Sequence, residues 1–300
     1  MNAPPSPDER KRAGNLRGIF WMLGATLIFV NMHAAIRHIA PEVDPLEIAF
    51  FRNVLGLIFL APVFLRYGLE PLRTTQFRMH FWRAAINLVN MVTYYMGLRL
   101  TPLAEATALN FTAPLFATVL ATAFLGEKLR LWRALALAAG FTGALVIVRP
   151  GFEALNPGAL LVIFSAVLWG GIMVMIKLIG RTESSLTITL WVLILMTAMS
   201  FPPALFVWQW PTATQFAWLT YIAVTGTIGQ LMLAQALKEA EATAIMPVDF
   251  SRLIWAAVTG YFAFGEVPDV FTWTGGVMIF ASATYIALRE KKLHKRRESR

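Results

Sequence analysis

The chain has 300 residues, of which 57% are hydrophobic and 14% are charged, with a mean hydropathy of +0.61 and a net charge of +9. A soluble domain carries about 25% charged residues, so this composition argues against a soluble protein and predicts one embedded in a lipid bilayer. The sequence contains no cysteine, which excludes disulfides, thiolate nucleophiles and cysteine metal ligands.

Ten apolar segments follow a polar and basic stretch at residues 1–15, which we predict to be a disordered cytoplasmic tail. Each segment has about 20 residues, the length that a helix needs to cross the bilayer. We therefore predict an all-α membrane protein with ten transmembrane helices. The predicted spans are 17–38, 46–66, 79–99, 103–125, 131–149, 157–178, 186–208, 215–236, 242–264 and 270–288.

Lys and Arg are distributed unevenly between the two sides of these spans. With a cytoplasmic N-terminus, 21 of the 26 basic residues lie on the cytoplasmic side, three lie on the other side, and Arg52 and Arg252 lie within spans. Because basic loops stay in the cytoplasm, both termini are predicted to be cytoplasmic, with residues 290–300 as a basic cytoplasmic tail. This distribution explains the positive charge without a nucleic-acid partner.

A Gly-Glu pair closes span 4 at Glu127, and a second copy closes span 9 at Glu266, 139 residues later. Basic residues follow the first copy closely, whereas none follows the second before Arg289. Since five spans is an odd number, a second five-helix unit enters the membrane inverted relative to the first. The sequence thus predicts two inverted five-helix repeats, N-in/C-in, at residues 16–150 and 151–289.

Several motifs resemble the drug/metabolite transporter superfamily, in particular a tandem pair of EamA-type domains. They are Ala106 to Pro114 with Leu125-Gly126-Glu127 in the first half, and Pro247 to Arg252 with Gly260 to Asp269 in the second. The segment Glu47 to Arg52 adds a weaker similarity to the branch that includes S-adenosylmethionine transporters. The resemblance implies that helices 1–4 and 6–9 surround a central cavity and that helices 5 and 10 pack outside it.

The resemblance also implies a secondary transporter in a bacterial inner membrane that works by alternating access. The substrate class follows from the residues instead, because a cavity lined by charged and aromatic side chains suits a small polar metabolite, amino-acid-like or heterocyclic. No nucleotide-binding loop or metalloprotease motif occurs in the sequence, so neither ATP drive nor a cofactor is expected. Two alternatives are an intramembrane enzyme acting on a lipid-soluble substrate and a non-transporting receptor or scaffold. The substrate, the direction of transport, the coupling ion and a homodimer stay open.

Polar side chains at membrane depth are costly, and they therefore identify candidate substrate contacts. Asp249 and Arg252 lie one turn apart in span 9 and are predicted to pair, with Trp255 continuing their face. The alternative is a structural ion pair that only holds helices together. Arg52 is closer to the end of its span, and we attribute it equally to snorkelling or to a bond with a loop carboxylate.

His33 in span 1 is a candidate substrate ligand or proton-coupling group, with a neutral histidine bonded to a neighbouring helix as the alternative. Span 3 carries a polar stripe of Asn87, Asn90 and Tyr94, which either lines a cavity or bonds to another helix. Trp169 in span 6 could stack on a flat ligand or serve as a core aromatic. The nine predicted substrate-binding residues are His33, Asn87, Asn90, Tyr94, Asn110, Trp169, Asp249, Arg252 and Trp255.

Overall fold

The computed structural model describes residues 7–62, 68, 72–125, 131–149, 156–180, 182–240 and 248–298. Within these ranges the regular structure is helical throughout, and no strand occurs. The helices are α1 Pro7–Ile39, α2 Pro45–Phe59, α3 Phe77–Leu100, α4 Leu103–Asn110, α5 Ala113–Leu125, α6 Leu131–Val148, α7 Pro157–Ile179, α8 Ser185–Phe206, α9 Ala213–Glu239, α10 Ser251–Phe264 and α11 Val270–Glu298.

Seven stretches of the described chain are long and apolar enough to cross a membrane. The shorter helices α2 and α10 have 15 and 14 residues, and α3 carries basic side chains in its first half. The predicted all-α membrane class is therefore confirmed. The seven stretches are Gly14–Ile39, Leu103–Ala123, Leu131–Val148, Pro157–Ile176, Leu186–Phe206, Ala213–Leu233 and Val270–Arg289.

The first helix begins earlier than the sequence predicts. Residues 7–15 belong to α1, although we predicted a disordered tail over residues 1–15. Extending an existing helix adds one hydrogen bond per residue without a new nucleation cost, and Lys, Arg and Glu are good helix formers. Residues 1–6 lie outside the described part of the chain.

Span 4 is interrupted, whereas we predicted a single helix over 103–125. A turn at Phe111 and Thr112 separates α4 from α5, and the Thr112 hydroxyl donates to the carbonyl of Leu109 at 2.7 Å. Pro114 explains the break, because it lacks an N–H and its ring clashes with the carbonyl four residues before it in a continuous helix. A similar turn at Phe250 immediately precedes α10.

The helices pack around a shared core. The helix α1 lies against α9 and α10, α3 lies against α7 and α8, and α2 lies against α8 and α9. The two halves also meet where α4 touches α10 and where α5 touches α7. The helices α6 and α11 pack extensively against each other.

One end of the bundle, here called the Glu266 face, is held by two ion pairs. The Glu266 carboxylate accepts from the Arg37 guanidinium and, at 3.0 Å, from the backbone N–H of Leu103, so it joins α1, α4 and the end of α10. Arg149 binds Asp269 at 2.6 Å. Burial alone would raise the pKa of Asp269, but hydrogen bonds from Thr272 and the charge of Arg149 outweigh it and lower that pKa.

The opposite end, here called the Glu183 face, is closed by the loop between α7 and α8. The Glu183 carboxylate lies 2.6 Å from His80 Nε2, and it accepts from the hydroxyl of Thr74 and, at 3.2 Å, from the N–H of Thr75. Although burial disfavours ionisation, these contacts hold the pKa of Glu183 below its ordinary value. Glu183 thereby ties the α7–α8 loop to the start of α3.

Candidate functional site

Asp249 and Arg252 form the ion pair predicted from their spacing. Arg252 Nη2 donates to Asp249 Oδ1 at 2.7 Å, and both side chains are half-buried. The guanidinium also lies over the Phe29 ring of α1, 5.7 Å from its centroid. The turn at Phe250 therefore places a carboxylate and a cation against the middle of α1.

His33 and Tyr94 meet beside this ion pair. Their rings lie edge to face with centroids 5.1 Å apart, which brings α1 and α3 together. The Tyr94 hydroxyl lies near the side chain of Asn110 at the end of α4, but the two groups do not have the geometry of a hydrogen bond. Arg252 is within electrostatic reach of both rings. Residues from four predicted spans thus converge near the two helix breaks.

Several buried polar atoms in this region have no hydrogen-bond partner among the described residues. They are His33 Nδ1, Tyr94 Oη, Trp255 Nε1, and the Nε atoms of Arg52 and Arg252. Each such atom costs about 1–3 kcal/mol when it stays unpaired, and buried polar groups in folded proteins are rarely left so. Their convergence at one place is typical of a site that binds water or a polar ligand.

Arg52 belongs to this region, although we did not select it from the sequence. Its Nη1 lies 3.6 Å from the Met91 sulfur of α3, and its guanidinium packs against Gly226 of α9. Among the described residues no loop carboxylate pairs with Arg52, and its guanidinium packs against α3 and α9. The sequence feature that identified Arg252, a guanidinium inside an apolar span, applies to Arg52 as well. We call His33, Arg52, Tyr94, Asn110, Asp249 and Arg252 the central polar cluster.

Of the other predicted site residues, Trp255 adjoins the cluster on α10, whereas no contact among the described residues joins Asn87, Asn90 or Trp169 to it. Asn87 donates to the Met196 sulfur of α8 at 3.0 Å, which joins α3 to α8. Asn90 reaches Asn87 of the same helix at 3.5 Å. Trp169 is half-buried on α7, and no described contact links it to His33. Trp255 is also half-buried, and it lies one turn beyond Arg252.

The cluster offers charge complementarity and ring contacts rather than covalent chemistry. It combines one carboxylate, two guanidinium groups, an imidazole, a phenol and an amide, which suits binding of a polar molecule that carries both charge signs. Within the described ranges, no group of three or more His, Asp or Glu side chains is placed to hold a metal ion.

Comparison with known proteins identifies the family. The EamA-like transporter family matches this chain twice, over residues 16–149 and 156–288. An S-adenosylmethionine uptake transporter from Rickettsia bellii is 28% identical over 275 residues, which cover 92% of this chain and 94% of that protein. A riboflavin transporter from Vibrio cholerae is 30% identical, with 94% and 96% covered.

Two further comparisons agree with this result. A pseudopaline exporter from Pseudomonas aeruginosa is 25% identical over 91% of this chain and 97% of that protein. One crystal structure of a protein superimposes with a TM-score of 0.60 at 17% identity, covering 94% of this chain and 99% of the other, which shows a shared fold. The chain therefore belongs to the EamA-like transporter family, and it is a multi-pass bacterial inner-membrane protein that works as a secondary transporter of small metabolites rather than as an enzyme.

Proposed function

We propose that the chain crosses the membrane ten times as two inverted five-helix halves, residues 16–150 and 151–289, with both termini in the cytoplasm. The positions of the helix breaks support this proposal. Phe111 lies in the break of span 4 and Phe250 in the break of span 9, which is 139 residues later, the same interval that separates the two Gly-Glu motifs. Asn110 and Asp249, each one residue before a break, are equivalent in the same way.

Close helix contacts also occur in pairs that the repeat relates. At Gly158 of α7, Thr101 leaves no room for a Cβ atom, and at Gly18 of α1 the same holds for Ala240. Gly18 and Gly158 are 140 residues apart, and Thr101 and Ala240 are 139 apart. Exchanging the two halves therefore converts one contact into the other.

The packing of whole helices follows the same rule. Exchanging the halves converts the α1–α9 contact into the α3–α7 contact, and the α2–α9 contact into the α3–α8 contact. The contacts α2–α8, α4–α10 and α6–α11 each join a helix to its own equivalent in the other half, so the exchange leaves them unchanged. Such a pattern is expected for halves related by a two-fold axis in the membrane plane.

The charge distribution supports one orientation of this bundle. With 21 basic residues inside and three outside, the Glu183 face is cytoplasmic and the Glu266 face is periplasmic. The inverted counterpart of the Glu266 motif is Glu127, which lies outside the described residues.

The central polar cluster is the proposed substrate site, and its substrate is an amino-acid-like or heterocyclic metabolite. The single observation that carries this proposal is the convergence of Asp249, Arg252, His33 and Tyr94, with unpaired polar atoms, between the two broken helices. Discontinuous helices near the midplane form substrate sites in transporters with inverted repeats. Rocking of one half against the other would open this site to each side in turn.

Each side chain has a role in this proposal. Asp249 binds a substrate ammonium or other cation while Arg252 keeps the carboxylate in position. Tyr94 and Asn110 supply hydrogen bonds, and Phe29 and Trp255 provide ring faces for a heterocycle. S-Adenosylmethionine combines an ammonium, a carboxylate and an adenine ring, so it fits these groups and is the first candidate.

Uptake into proteoliposomes tests the proposal. The purified protein is supplied with labelled S-adenosylmethionine, riboflavin and neutral amino acids, with and without a pH gradient. We expect saturable uptake of S-adenosylmethionine by the wild-type protein and at least a roughly tenfold loss in Arg252→Ala, because removing Arg252 leaves Asp249 unpaired. The exposed Arg99→Ala is the matched control. Wild-type transport by Arg252→Ala would remove Arg252 from the mechanism, and no uptake of any compound by the wild-type protein would reject the proposed substrates.

A further inference from the structure

We infer that Arg52 is the anion-binding residue of the central site and that the transported substrate therefore carries a carboxylate. This inference rests on the proposed function and makes it more specific. It assigns to Arg52, rather than to Arg252, the contact with the negative group of the substrate.

The position of Arg52 keeps its charge inside the bundle. Arg52 lies at the middle of α2, and its guanidinium is held between Met91 of α3 and Gly226 of α9. An added Cβ at Gly226 would lie 2.8 Å from Met32 Sδ and 3.4 Å from Arg52 Nε, so the glycine makes room for Met32 beside Arg52. The Arg52 side chain is partly buried, and it contacts α3 and α9.

The two arginines of the cluster differ in their partners. Arg252 is compensated by Asp249 at 2.7 Å. Among the described residues Arg52 forms no salt bridge, and its one hydrogen-bond partner is the weak acceptor sulfur of Met91 at 3.6 Å. A guanidinium withdrawn from water without an anion is unfavourable, so a bound anion stabilises the occupied site.

Arg52 also lies near the residues that form the rest of the site. Its neighbour Met91 precedes Tyr94 by one turn of α3, and it shares the surface of Gly226 with Met32, the residue before His33 on α1. Arg252 reaches the same part of α1 from α10, where its guanidinium lies over the Phe29 ring, one turn before His33. With Asp249 included, the cluster carries one uncompensated positive charge, which matches a monoanionic carboxylate better than a dianionic phosphate.

A matched pair of ligands isolates this contact. S-Adenosylmethionine and its decarboxylated form differ in a single carboxylate and share the adenine, the sulfonium and the ammonium. The binding of each compound to purified wild-type protein, Arg52→Gln and Arg52→Lys is measured by radioligand binding, with uptake measured in parallel. The exposed Arg99→Gln is the control for loss of one arginine.

In the wild-type protein, the decarboxylated compound is expected to bind about 10- to 100-fold more weakly, as for loss of a charge-assisted hydrogen bond. Arg52→Gln should weaken S-adenosylmethionine binding by a similar factor and leave the decarboxylated compound unchanged, and Arg52→Lys should restore part of the difference. Retention of the decarboxylated ligand by Arg52→Gln shows that the variant is folded.

Four results would overturn the role of Arg52. Equal binding of both compounds by the wild-type protein, equal losses for both in Arg52→Gln, or no loss in Arg52→Gln would each overturn the role of Arg52 while the proposed function stands. Preferred binding of riboflavin, which has no carboxylate, would overturn it too. Neither binding nor uptake of any of these compounds by the wild-type protein would instead reject the proposed function, and the inference with it.

Discussion

Phe111 and Phe250 stack on each other with ring centroids 6.3 Å apart and an angle of 26° between their planes. Phe111 lies in the turn between α4 and α5, and Phe250 lies in the turn immediately before α10. Both also contact Phe280 of α11. Two turns 139 residues apart in the sequence therefore meet in the core of the bundle. This contact fixes the position of Asn110 and Asp249, which immediately precede the two aromatic residues.

The stacked pair predicts an energetic coupling between the two halves. In a double-mutant cycle, Phe111→Leu and Phe250→Leu should be non-additive by about 0.5–1.5 kcal/mol, the value for an aromatic pair beyond its buried area. Unfolding free energies of the purified protein in detergent provide the measurement. Phe262, 82% exposed on α10, supplies the control cycle of Phe111→Leu with Phe262→Leu, which should be additive. Additivity in both cycles would show that the contact contributes nothing.

Glu266 is predicted to hold the Glu266 face together. Glu266→Ala removes the acceptor of Arg37 and of the Leu103 N–H, and should destabilise the protein by about 1–3 kcal/mol. Glu266→Gln can still accept from Leu103 and should lie between this variant and the wild type. Thermal unfolding in detergent measures the effect. Glu42→Ala is the control on the same face, because Glu42 is exposed and, among the described residues, its side chain bonds Gln215 alone. An equal effect of both alanine variants would contradict a special role for Glu266.

Glu183 predicts a specific dependence of stability on pH. Its pKa is lower in the folded protein than its ordinary value of 4.5, so its stabilising contribution is present above that value and disappears as the pH falls through the folded pKa. Glu183→Gln should therefore cost about 1–3 kcal/mol at pH 7, and less below about pH 4. Unfolding of both proteins across this range gives the difference.

Glu42→Gln is the matched control for replacing an acid by an amide. Glu42 is exposed in a loop, so this variant should show no comparable dependence on pH. A stability difference between wild type and Glu183→Gln that stays constant from pH 7 to the acid end would show that the charge of Glu183 is not the cause.

The sequence predicts the parts of this fold that depend on composition and periodicity. Apolar segments of about 20 residues locate the helices, and the i, i+3 spacing of Asp249 and Arg252 is sufficient to predict their contact because it is local. The nearness of His33 to Tyr94 could not be derived in this way, since the two residues share no helix. Polarity alone marked both as candidates.

Other features depend on tertiary structure. Arg52 resembles a snorkelling residue in the sequence, and only the packing of α3 and α9 around it shows that its charge stays inside. The turn at Phe111 has one local signal in Pro114, but prolines are common within membrane helices and do not by themselves predict a break. For Asn87 the sequence leaves cavity lining and a bond to another helix open, and the packing of α3 brings its amide to Met196 of α8.

The central claim is that two inverted halves enclose the site, and labelling of single cysteines tests it most directly. The chain has no cysteine, so each introduced thiol is unique. Glu42 and Thr182 are equivalent in the two halves, as are Arg73 and Thr212, and all four are exposed in loops or at helix ends. Right-side-out spheroplasts are treated with a membrane-impermeant maleimide, before and after permeabilisation.

We expect Glu42→Cys and Thr212→Cys to react in intact spheroplasts, and Thr182→Cys and Arg73→Cys to react only after permeabilisation. Equivalent positions would then lie on opposite sides of the membrane, as inverted halves require. Reaction of both members of either pair from the same side would contradict the inverted arrangement and with it the proposed site between the two broken helices.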